Sequence, residues 1–145
     1  MNNSETINPI DRDYISWLEE QRDKLKSRSF NELDLHNLVE VLEALIRNEK
    51  SAVRNFIYQI LVHLLLIDYW HEESNSQGYW QEEIDNFQLQ LQDKITSNLK
   101  NLLYQELSNI YAKARKSAVR ISKLENSRFP LKCPYSLSEI LMGGK

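Results

Sequence analysis

Apolar side chains return every three or four residues along nearly the whole chain, which is the spacing of one face of an α-helix. Tyr14, Trp17, Leu18, Gln21 and Leu25 keep that rhythm, with Gln21 the one polar exception. They predict a helix from about Asp11 to Ser27, capped by Asp11 or Asp13. The stretch "SFNELD" reads as a turn, and Asp34 suits a cap for the next helix. From Leu35 to Trp70 the pattern hardly pauses. Leu35, Leu38, Leu42, Leu45 and Ile46 form one stripe; Val53, Phe56, Ile57, Ile60, Leu61, Leu64 and Ile67 form another. Between them lie the five polar residues "RNEKS", 47–51. One helix of about 35 residues would be long against the usual dozen or so, so the pattern predicts two helices, broken or kinked at 47–51.

"HEESNSQGY", 71–79, reads as a loop by composition. Trp80, Ile84, Phe87, Leu91 and Ile95 mark the next helix. "TSN", 96–98, ends it, and Ser97 is placed to cap a long helix from Leu99 to about Lys123. Its apolar stripe is Leu99, Leu102, Leu103, Leu107, Ile110, Tyr111, Ala114, Ala118 and Ile121. Pro130 and Pro134 cannot continue a helix, which predicts extended chain over 129–135. "SLSE", 136–139, has the form of a capping box, with Ser136 as cap and Glu139 three residues on. A short helix over 137–142 should bury Leu137, Ile140 and Leu141, with Phe129, Leu131 and Tyr135 as further anchors. Residues 129–145 are therefore expected to form a docked strap and short helix, with Cys133 largely buried, and 1–10 an N-terminal arm. No segment alternates with the period of two that marks a half-buried strand. The fold expected is all-α: a single domain, an irregular bundle of about five main helices plus a short C-terminal one.

Composition narrows the function. The chain has 145 residues, enough for one domain with a sizeable core. Lys and Arg number 18 against 21 Asp and Glu, a net charge of −3, which gives no general attraction to nucleic acid or anionic membrane. The single cysteine, Cys133, permits no internal disulfide. The first residues lack the basic and apolar regions of a signal peptide, and "ILVHLLLI" is too short to span a bilayer. A cytoplasmic protein without a membrane span is expected.

Five stretches taken together carry a family resemblance: "DRDYISW" (11–17), "LDLHNLVEVLEAL" (33–45), "HLL" (63–65), "YAKARKSA" (111–118) and "FPLKCPYSL" (129–137). In this order, over nearly the whole chain, they resemble the bacterial family catalogued as domain of unknown function 29. The resemblance implies a compact helical fold and carries no activity, cofactor or partner with it. The chain departs from the family's tendencies at Val41, where an acidic pair is usual. It departs again near 66–72, where Leu66, Ile67 and "HE" stand in place of Lys-Trp and Gln-Pro pairs.

Candidate chemistry is sparse. His36, Glu40, Glu43 and Arg47 fall within about 40° of one another on a helix face. Such Glu and His faces can hold metals in bundles, but here the order is reversed and no second copy occurs, so paired side chains on a solvated face are the expected reading. His63 lies within an apolar run, where desolvation would favour its neutral form; a hydrogen-bonded core histidine is expected. Lys132 beside Cys133 would favour a thiolate, yet no cysteine-hydrolase motif surrounds it. Lys113, Lys116, Arg120 and Lys123, with Arg115, make a basic face without interleaved aromatics. Phosphate loops, GxSxG, zinc-finger spacings and HExxH are all absent from the sequence, so no cofactor and no metal are expected. The leading expectation is an interaction module, with Tyr69, Trp70, Tyr79 and Trp80 as its contact patch, toward a protein partner or a second copy in a two-fold dimer. Two alternatives stand beside it: a small enzyme or metal-binding protein using His36, Glu40, Glu43 and His63, and a nucleic-acid accessory protein using the basic face.

Overall fold

The computed structural model describes residues 13–142, and these are all-α, with no strand among them. The expected N-terminal arm and the alternative cap Asp11 lie outside the described residues. The helices are α1 (Tyr14–Lys26), α2 (Leu35–Tyr69), α3 (Gln77–Lys94), α4 (Ser97–Ser122) and the short α5 (Leu137–Met142), with single 3₁₀ turns at Phe30–Glu32 and Asn126–Arg128.

The expected break at 47–51 does not occur: α2 is one helix of 35 residues. Polarity alone does not break a helix. Arg, Glu and Lys are good helix formers, and no Gly or Pro falls between Leu35 and Tyr69. Among the described residues there are therefore four long helices and a short one. The cap of α4 is Thr96 rather than Ser97; its hydroxyl accepts from the Leu99 amide at 3.2 Å.

The chain divides into two compact units, Met1–Asn48 and Glu49–Lys145. In the first, Asp13 caps α1. The Trp17 indole N–H donates to Asp34 at 3.1 Å, and the Asp34 amide donates to the Gln21 side-chain carbonyl at 2.8 Å. Gln21, the polar exception in the α1 stripe, is buried because that bond satisfies it. Asp34 also accepts from the Asn37 side chain at 2.9 Å, and these donors hold its carboxyl below the usual range, against the desolvation that would raise it. Tyr14 lies by residues 40–47 while Trp17 and Gln21 lie by Asp34, so α1 runs antiparallel to the start of α2.

The second unit holds the main core. Val53, Ile57, Ile60, Leu61, Val62, Leu65 and Leu66 of α2 pack with Trp80, Ile84 and Leu91 of α3, with Leu103, Ile110, Tyr111, Ala114 and Ala118 of α4, and with Phe129, Leu137, Ile140 and Leu141. The latter half of α2 is buried on most sides, as a central helix must be.

The extended strap from Phe129 docks on this core as expected. Phe129 is 1% exposed and meets Tyr69 edge to face at 6.0 Å. The Tyr111 hydroxyl donates to the Pro130 carbonyl at 2.5 Å, and Arg115 donates to the carbonyls of Phe129 and Asn126. The capping box forms: the Glu139 amide donates to the Ser136 hydroxyl at 3.1 Å, and the Ser136 amide donates to the Glu139 carboxylate at 2.8 Å. Leu131 departs from expectation, being 80% exposed. The chain bends at Leu131 and Lys132, and both side chains lie on its outer side.

Candidate docking face

The stripe of the first unit is where sequence and structure part most sharply. An amphipathic stripe is expected to face a core, yet Leu35, Leu42, Leu45 and Ile46 of the expected stripe, with Val39 beside them, are between 51% and 63% exposed. Leu35, Val39, Leu42 and Ile46 follow steps of four, three and four, which at 100° per residue confines them to a band about 60° wide. Leu38, Val41 and Ala44, round the side toward α1, are half-buried instead. Trp17 is the one apolar side chain of this unit that is buried among the described residues, while Tyr14, Ile15, Leu25 and Phe30 are exposed as well. The sequence gives no signal for this, because a face that awaits a partner and a face that meets a core carry the same periodicity.

The polar candidates flank that stripe. The His36 Nε2 stands 3.2 Å from Glu40, with both side chains largely in solvent. Glu40, Glu43 and Arg47 line a shallow groove of about 420 Å³ with Tyr14, Val41 and Ala44. His63 belongs to the other unit, where its Nδ1 pairs with the Gln59 carbonyl at 2.6 Å and its ring lies 6.2 Å from Phe87. Among the described residues no group of three or more His, Cys, Asp or Glu is placed to hold a metal ion, so His36, Glu40, Glu43 and His63 are not gathered into one cluster.

The aromatic patch expected at 69–80 is mostly used up internally. Trp80 is 7% exposed and stacks on Trp70 at 5.7 Å. Tyr69 is half-buried against Phe129, which leaves only Tyr79 projecting into solvent. The rings cover one another, so Tyr69, Trp70, Tyr79 and Trp80 do not form an open contact surface.

On α4, Lys113, Lys116, Arg120 and Lys123 are at least partly exposed, as a solvated face should be. Arg115 leaves that face to hold the strap. Beside them a groove of about 420 Å³ is lined by Ser51, Arg54, Asn55, Tyr58, Ile110, Lys113 and Ser117. Three of its polar groups are engaged: Arg54 pairs with both Glu106 oxygens, at 2.5 and 3.1 Å, and Tyr58 pairs with Ser117 at 2.5 Å. Cys133 is half-buried, less than the sequence suggested. Its Sγ donates to the Tyr135 carbonyl at 3.4 Å, and burial pushes the thiol's pKa up, opposite to the lowering expected from Lys132.

A more enclosed cleft of about 510 Å³ lies between α2, α3 and the strap. Its lining includes Asp68, Asp85 and Glu139 over Leu64, Ile67 and Ile84. Each carboxylate already accepts a neutral donor: Tyr135 on Asp68, Gln81 on Asp85, and the Ser136 amide on Glu139. Gln88, buried in the cleft wall, donates to the Ile140 carbonyl at 3.0 Å and so ties α3 to α5. The sequence pattern missed this residue because it looks only for apolar positions.

No described helix is long and apolar enough to cross a membrane. No curated protein and no solved structure was found to match the chain. The model of the family described as Domain of unknown function DUF29 matches residues 10–143, and the chain belongs to that family.

Proposed function

We propose that this chain is a protein-association module, and that its docking element is the apolar face of α2 formed by Leu35, Val39, Leu42, Leu45 and Ile46. The observation that carries the reading is the exposure of all five, each more than half in solvent, on successive turns of one helix. Scattered exposed aliphatic residues need no explanation, but a contiguous patch of them usually marks a contact surface. Helix-in-groove and helix-on-helix contacts use this i, i+4, i+7 ladder of anchors. The flank carrying His36, Glu40, Glu43 and Arg47 supplies the polar rim that such contacts have.

The test is site-specific photo-crosslinking in cells, with a benzophenone side chain at position 42 and a control at exposed Gln90 of α3. A defined adduct from position 42 and none from position 90 supports the reading. Equal or absent labelling at the two positions refutes it.

A further inference from the structure

We infer that the occupant of this face is a second copy of the same chain, packed antiparallel across a two-fold axis that passes between Val39 and Leu42. The inference rests on the docking face proposed above and adds the partner and its register. The row reads the same from both ends. With the axis between Val39 and Leu42, Leu35 lies opposite the partner's Ile46, and Val39 lies opposite the partner's Leu42. Each of these four anchors meets an anchor over about 16 Å of helix. An isologous contact requires this self-match, and a face built for an unrelated partner does not.

Charge fixes the direction. On the polar flank His36 and Glu43 stand nearest the apolar row. A parallel two-fold pairing would set this polar flank, with Glu43, beside the partner's apolar flank of Leu38 and Leu45. The antiparallel one sets His36 beside the partner's Glu43, offset by about 3 Å along the axis, and does so twice. On the other flank it brings Leu38 toward the partner's Leu45, so the apolar strip widens rather than ending in a charge.

The unit itself points the same way. Near the roughly 40 residues below which a unit usually needs disulfides, metals or oligomerisation, the unit Met1–Asn48 buries only Trp17 among its described apolar side chains. The chain's single cysteine lies elsewhere, at Cys133. Fully burying an aliphatic side chain removes roughly 100 Å² from water. Five half-exposed residues from each copy therefore supply only about 600 Å² for the pair, which places the contact at the weak end of specific interfaces. A micromolar dissociation constant is expected.

The experiment is disulfide mapping in a Cys133→Ser background. Leu35→Cys and Ile46→Cys are made singly, oxidised alone, and then oxidised as an equimolar mixture at high micromolar concentration. The mixture should crosslink to dimer, and each single variant should not, because like positions lie about 16 Å apart. Single variants that crosslink as fully as the mixture would show a parallel contact and overturn the inference. Absence of crosslinking in all three, with far-ultraviolet circular dichroism unchanged, would overturn it as well. The photo-crosslinking at position 42 separates this failure from failure of the docking reading. An adduct of mass other than two chains refutes the second copy and leaves the docking face standing; no adduct removes both.

Discussion

Phe129→Ala tests whether the strap is an integral part of the fold. The ring is 1% exposed and lies 6.0 Å from Tyr69. Removing a fully buried phenyl group costs about 3–5 kcal/mol, counting the lost transfer energy and the cavity left behind. The backbone bonds from Arg115 to the Phe129 carbonyl survive the substitution, so the loss isolates the side chain. With a urea slope of about 2 kcal/mol per molar, the unfolding midpoint should fall by about 1.5–2.5 M. Leu131→Ala, two residues away and at a position 80% exposed, should change stability by less than about 0.5 kcal/mol. Urea titrations followed by circular dichroism compare the two. A midpoint for Phe129→Ala within about 0.3 M of Leu131→Ala would mean that the strap adds nothing to the core, and that residues 129–141 do not dock as described.

Tyr111→Phe removes the bond to the partly buried Pro130 carbonyl and should cost about 0.5–1.5 kcal/mol in the same titration. Burial raises the Tyr111 phenol from its ordinary 10 to about 12, so its contribution is intact below pH 10 and is lost as pH rises to about 12; stability in that window should fall more steeply for wild type than for Tyr111→Phe. Arg128 holds the Glu72 carboxyl down from 4.5 to about 2, through bonds of 2.9 and 3.2 Å. That stabilisation is complete above pH 4.5 and disappears as pH falls to about 2, and both groups are exposed, so an NMR titration of Glu72 should move back toward 4.5 in high salt. Burial raises the Cys133 thiol, so alkylation at neutral pH should run well below the rate in denaturant; equal rates would contradict a docked strap.

The sequence was most legible where one rule governs one feature. The capping box at Ser136 and Glu139 formed because its two hydrogen bonds depend on spacing alone. The strap followed from two prolines and a buried Phe129. Periodicity identified the helices, but it could not show that "RNEKS" would stay helical, since a polar run and a helix break look alike without Gly or Pro. Nor could it show that Trp70 and Trp80 would stack on each other while Leu42 faced solvent. Whether an apolar residue meets its own chain or another is settled by tertiary packing, which the pattern does not encode. Gln88 escaped notice, and Gln21 stood out only as a polar exception in its stripe, for the converse reason: their burial depends on partners, the Asp34 amide and the Ile140 carbonyl, distant in sequence.

Association of two chains through the Leu35–Ile46 face of α2 can be weighed in solution. Sedimentation equilibrium from about 5 to 500 µM does so, on wild type and on Leu42→Asp. Leu42 is 57% exposed, so the charge should leave the fold intact and cost only about 0.5 kcal/mol in helix propensity. Wild type should pass from one chain of 17.2 kDa to two across that range, while Leu42→Asp stays a monomer with unchanged circular dichroism. A wild type that remains monomeric at 500 µM, or a Leu42→Asp variant that dimerises equally well, would show that this face does not join two chains.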